Sequence, residues 1–97
     1  MKVRYTRGAL TELTEILAYI EQPSPDGANR VRARIKSIVG SLSLHPRIGT
    51  QTNDPKLRRL IAHPYPYAIF YEVTRTWITI HAIRHTARDP AGMPGAS

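Results

Sequence analysis

A chain of 97 residues that is 41% hydrophobic suits one domain with one core and is too apolar for a disordered segment. The absence of cysteine excludes disulfides and thiolate metal sites, and no apolar run approaches the roughly 20 residues that span a bilayer. Fourteen Lys and Arg against seven Asp and Glu give a formal charge of +7, a field that draws phosphates or acidic proteins from a distance. The opening Met1-Lys-Val-Arg-Tyr-Thr6 goes straight into strand-like sequence without the apolar stretch of a signal peptide. With the missing cysteines, this gives an expectation of a cytoplasmic protein.

Lys2 to Thr6 alternates polar and apolar residues and predicts a short half-buried strand. Thr6 can cap the next element through its hydroxyl. Ala9 to Glu21 predicts a first helix, because Leu10, Leu13, Ile16, Leu17 and Ile20 recur at three- and four-residue steps. Glu12, Glu15 and Glu21 fall off that stripe and read as a solvated face.

Gln22-Pro23-Ser24-Pro25 breaks the helix, and Ser24 with Pro25 makes a start signal for the next one. Ala28 to Leu44 predicts a second helix with the stripe Ala28, Val31, Ile35, Ile38, Val39 and Leu42. Its other side carries Arg30, Arg32, Arg34 and Lys36, either a solvated face or a surface for phosphate or carboxylates. Gly40 inside this helix costs about 1 kcal/mol relative to Ala, which close approach to the first helix or to the sheet would offset. His45-Pro46 ends the helix, with the His45 imidazole placed to meet the last carbonyls. Arg47 to Lys56 reads as a polar loop of the kind that carries function.

Three short runs rich in β-branched and aromatic residues follow between Leu57 and His85. Turn chemistry separates them at His63-Pro64-Tyr65-Pro66 and at Thr74-Arg75-Thr76, so they predict an antiparallel meander. The fold class is α+β: an N-terminal strand, an antiparallel helix hairpin, then the meander, with both helices on one face of the sheet. Strict alternation puts Ile78, Ile80 and Ala82 under the helices. It puts Trp77, Thr79, His81, Ile83 and His85 on the opposite, front face. That face either meets a partner or is partly closed by a minor second core of Trp77, Phe70 and the loop. His81 and His85 would stand roughly 13 Å apart along an extended strand, too far to share a metal. No metal or other cofactor is expected. His63 reads as a solvated turn residue. Ala91 to Ser97 reads as a mobile tail after a domain of residues 1–90.

The order of these elements resembles the RelE/ParE superfamily of bacterial toxins from type II toxin–antitoxin pairs. The cues are Leu57-Arg58-Arg59, the run Pro66-Tyr67-Ala-Ile-Phe-Tyr-Glu-Val73, and Ile83-Arg84-His85-Thr86-Ala87-Arg88-Asp89. The resemblance implies a toxin silenced by a cognate antitoxin that offers an acidic or amphipathic segment, with toxin–antitoxin hetero-oligomers. It also implies two possible targets, DNA gyrase in the ParE-like branch or the ribosome and its mRNA in the RelE-like branch. RelE-like nucleases place a catalytic Arg where this chain has Ala68, and a late Tyr where this chain has none after Tyr71. Arg59 matches a basic position of that branch. A nuclease would therefore rest on Arg59, His85 and Arg88. The ending Arg84-His85-Thr-Ala-Arg88-Asp89 looks closer to the ParE-like branch, which implies a binding poison of gyrase rather than an enzyme. A small RNA-binding module without toxicity is the remaining alternative. The expected partner-binding set is Arg58, Arg59, Phe70, Trp77, His81, Ile83, His85 and Arg88.

Overall fold

The computed structural model describes residues 1–87. The chain runs β1 (Lys2–Tyr5), α1 (Arg7–Glu21), α2 (Pro25–Leu42), β2 (Thr50–Gln51), β3 (Arg58–Ile61), β4 (Tyr67–Val73) and β5 (Trp77–His85). Arg88 and the segment Ala91 to Ser97 lie outside the described residues.

Both helices start where their caps direct. The Thr6 hydroxyl accepts the Ala9 N–H at 3.1 Å, and Ser24 accepts the Gly27 N–H at 2.9 Å with Pro25 following it. Each satisfies one of the donors a helix start leaves unbonded. The stripe of α2 is buried as the spacing requires, from Ala28 through Leu42. In α1, Ala9 and Leu17 are buried, and Leu13, Ile16 and Ile20 pack against the same core. Leu10 departs from the expected stripe and is 49% exposed. Gly40 does not mark a close approach either, for a Cβ built there meets nothing within 4 Å.

Five strands form one sheet in the order β1-β5-β4-β3-β2. β3, β4 and β5 are the antiparallel meander, and β1 lies parallel to β5 at one edge. The loop after α2 contributes the other edge, since Thr50 pairs with Arg59 and Gln51 with Arg58. That two-residue strand is invisible to periodicity, which needs several residues to register.

The main core lies between the helices and one face of the sheet, where Tyr67, Ile69, Tyr71, Ile78, Ile80 and Ile83 meet α1 and α2. Its last member corrects the expected face assignment. Tyr71 pairs with Ile80 but Phe70 pairs with Ala82, so His81 is an extra residue on β5. This β-bulge reverses the alternation beyond it. Ile83 turns to the core, while Ala82 turns to the front with Ala68 and Phe70.

Candidate functional site: the sheet front and the loop after α2

The front of the sheet is the face away from the helices. Its cationic end is at β1. Lys2 and Arg4 lie opposite Trp77 and Thr79 in the parallel register. The Lys2 ammonium sits 5.8 Å and the Arg4 guanidinium 4.8 Å from the Trp77 ring centre. Arg4 Nε also donates to Thr79 Oγ1 at 3.1 Å. The indole is thus covered by its own chain's cations, an attraction of about 0.5–1 kcal/mol at exposed sites. Neither Lys2 nor Arg4 was singled out from the sequence, since the contact needs the β1–β5 pairing.

In the middle of the front, Phe70 is 1% exposed and packs with Ala68, Ala82 and half-buried Ile61. A small second core therefore exists, but its members do not include Trp77 or the loop, contrary to the expected set. Beside it, His81 Nε2 lies 2.9 Å from Glu72 Oε1. Arg59 pairs with Phe70 in register and is exposed, with no ion pair among the described residues.

The bulge separates the two histidines that strict alternation had placed together. His81 stays on the front with Glu72. His85 goes to the helix side, where its ring meets Tyr67 edge-on at 5.4 Å and its Nδ1 accepts the Ala87 N–H at 3.1 Å. Arg59 and His85 consequently occupy opposite faces of the sheet, and the structure does not bring them together. Ile83 is 1% exposed in the main core.

The reading of Glu12 as a solvated acid is also corrected. β1 accompanies β5 only as far as Ile80, leaving the edge of β5 open beyond it. Glu12 closes that edge from α1. Its carboxylate accepts the Ile83 backbone N–H at 3.1 Å and pairs with Arg84 Nε. Thr6 Oγ1 donates to the His81 carbonyl at 3.4 Å on the same edge.

Arg58 turns away from the front. Its guanidinium donates to the Gly49 carbonyl at 2.8 Å and to the Arg47 carbonyl at 3.3 Å. Its cross-strand partner Tyr71 accepts the Gly49 N–H on its hydroxyl at 2.8 Å. Burial pushes the Tyr71 hydroxyl pKa above its usual 10.0, opposed by the Gly49 N–H and the Arg58 charge. The loop so held carries Leu44 and Ile48, which are 78% and 58% exposed. At the end of α2, the His45 backbone N–H, rather than an imidazole, supplies the 2.9 Å bond to the Ser41 carbonyl. On α2 itself, Arg34 Nε donates to the His63 carbonyl at 2.6 Å and ties the exposed His63 turn to the helix.

Residues 3–90 match the family described as the ParE toxin of type II toxin-antitoxin system, parDE. Toxin RelE2 of Caulobacter vibrioides is 41% identical over 90 residues, covering 90% of this chain and 97% of that protein. Y4kP of Sinorhizobium fredii is 40% identical over 74 residues, 76% of this chain and 77% of its own length. Among solved structures, a chain of the chromosomal ParDE TA system from P. aeruginosa superposes with a TM-score of 0.77 at 23% identity, covering 88% of this chain and 95% of that one. No helix among the described residues is long and apolar enough to cross a membrane.

Proposed function

The chain belongs to the ParE toxins of type II toxin–antitoxin systems, and from that membership we propose that it poisons DNA gyrase by binding it. As a toxin of such a pair, its partner is an antitoxin. The relatives bear both RelE and ParE names, and a shared fold does not choose a target.

The observation that carries the gyrase reading is the make-up of the front. Cleavage of RNA by its own 2′-hydroxyl needs a base, an acid and cations converging within hydrogen-bond reach of one phosphate. Here the centre of the front is Ala68, Phe70 and Ala82, an apolar cluster with no titratable group. Ala68 is fully buried where a RelE-like nuclease would present an arginine. Of the remaining nuclease candidates, Arg59 and His85 lie on opposite sides of the sheet, and Arg88 lies outside the described residues. A binding surface needs no such convergence. Arg59, on the front and without an ion pair among the described residues, is the side chain on that face we assign to target contact.

Two assays on the purified toxin decide the question. With gyrase and supercoiled plasmid, the expected result is accumulation of cleaved gyrase–DNA complexes. With translating ribosomes, the expected result is intact mRNA. Cuts within the A-site codon would replace this proposal with ribosome-dependent endoribonuclease activity.

A further inference from the structure

We propose that the loop between α2 and β2, through Leu44 and Ile48, is the anchor point for the antitoxin, which inserts an apolar side chain flanked by carboxylates. This rests on membership of the toxin–antitoxin family and is independent of which target the toxin attacks.

Two observations meet at this loop. The first is its exposed apolar surface. Leu44 and Ile48 are the most exposed aliphatic side chains among the described residues, at 78% and 58%. Next to Leu44 in the chain, His45, Pro46, Arg47 and Ile48 line a shallow, open hollow of about 420 Å³. Large apolar groups gathered on a surface mark sites that another molecule covers.

The second is rigidity. A loop whose hydrophobic residues were merely tolerated would not need fixing. This one is held at several points. The Leu44 and His45 N–H groups donate to the Ser41 carbonyl at 3.1 and 2.9 Å, and Ile48 N–H donates to the His45 carbonyl at 3.3 Å. Gly49 is gripped at both its N–H and its carbonyl by Tyr71 and Arg58. The ordering entropy is thus met by folding, so a partner gains the buried apolar area without it.

Charge selects the occupant. The hollow is lined by one permanent cation, Arg47, and by no acid. The chain around it carries +7. An aliphatic or aromatic side chain next to Asp or Glu satisfies both features. A nucleic acid would use the cation but leave Leu44 and Ile48 uncovered. The sheet front is the poorer candidate for this partner, because Phe70 is buried, His81 faces Glu72, and Trp77 lies under Lys2 and Arg4.

The test measures affinity for the cognate antitoxin, purified and titrated by calorimetry. Leu44→Glu and Ile48→Glu place an acid against the acidic partner at sites with little packing to lose. Each should weaken binding at least about thirtyfold, the lower bound of an interface hot spot, with an unchanged melting temperature. Leu10→Glu, on a half-exposed site of α1, is the control and should bind as the wild type does. Unchanged affinity in both loop variants, or an equal loss at Leu10, overturns the proposal. So does intact antitoxin binding with lost target inhibition, which would assign the loop to the target instead. Hydroxyl-radical footprinting of the wild-type toxin gives a second reading that needs no variant. Oxidation of Leu44 and Ile48 should fall several-fold in the complex, and unchanged oxidation would equally sink the assignment.

Discussion

Arg58 and Tyr71 stand opposite each other on β3 and β4 and hold the same residue, one by its carbonyl and the other by its amide. That residue is Gly49. A Cβ added to it would lie 2.6 Å from the Tyr71 hydroxyl oxygen and 2.8 Å from a ring carbon. Both atoms belong to a fully buried ring that cannot yield. Gly49→Ala should therefore destabilise the protein by about 1–3 kcal/mol, the cost of overpacking a well-filled site. Chemical denaturation checks this. A loss below about 0.5 kcal/mol would mean that the loop moves aside freely.

Removing the hydroxyl tests the same clamp from the other side. Tyr71→Phe keeps the ring but leaves the Gly49 N–H without its acceptor, which should cost about 1–3 kcal/mol. Amide hydrogen exchange at Gly49 should speed up in this variant more than the global loss of stability accounts for. An increase no larger than the global loss explains, or no change at Gly49, would rule out the hydroxyl as its acceptor.

The alkaline limb of stability carries a signature of two tyrosines. Burial raises the pKa of Tyr5 and of Tyr71 above 10.0. The unfolded chain then loses these protons at lower pH than the folded one. Above about pH 10 the folded state binds more protons, so stability falls as pH rises. Their contribution is complete below the unfolded pKa and is lost as pH climbs through the folded values. Unfolding free energies at pH 9 and pH 11 should differ more in the wild type than in Tyr5→Phe. Equal differences would show that Tyr5 titrates alike in both states.

Glu12 should prove a structural residue. Glu12→Ala deprives the Ile83 N–H of its acceptor and leaves Arg84 without this carboxylate, for a predicted cost of about 1–3 kcal/mol in urea. Glu12→Gln retains an acceptor and should lose less. Because both side chains are partly solvated, the ion pair itself adds at most about 1 kcal/mol. High salt should therefore change the cost of Glu12→Ala only slightly. A variant as stable as the wild type would return Glu12 to the solvated face.

Trp77 is the chain's one tryptophan, so its fluorescence reports the β1–β5 edge. Arg4→Met should shift the emission measurably and lower stability by about 0.5–1 kcal/mol, the worth of an exposed cation–aromatic contact. An unchanged spectrum would mean that the guanidinium does not rest on the indole in solution.

Local signals carried much of this fold. The Thr6 and Ser24-Pro25 caps act within three residues, and the α2 stripe needs only the helical repeat, so one stretch of sequence contains all the information each requires. The antiparallel meander was equally legible from its β-branched runs and turns. The faces of β5 are not legible from alternation alone, although the sequence carries a trace of them: Ile78, Ile80 and Ile83 are spaced by two and then three, which strict alternation cannot keep on one side.

The amino-acid order by itself determined both helices, the meander, the family and the cationic character, because these follow from near neighbours and total charge. Only the tertiary structure decided which surface is open. Whether Phe70 is covered, whether Glu12 meets water or the edge of β5, and whether Leu44 and Ile48 find a core depend on contacts between residues dozens of positions apart. A single extra residue at His81 was enough to exchange the two sides of the last strand. Pairing register is a property of two strands together, and no single stretch encodes it.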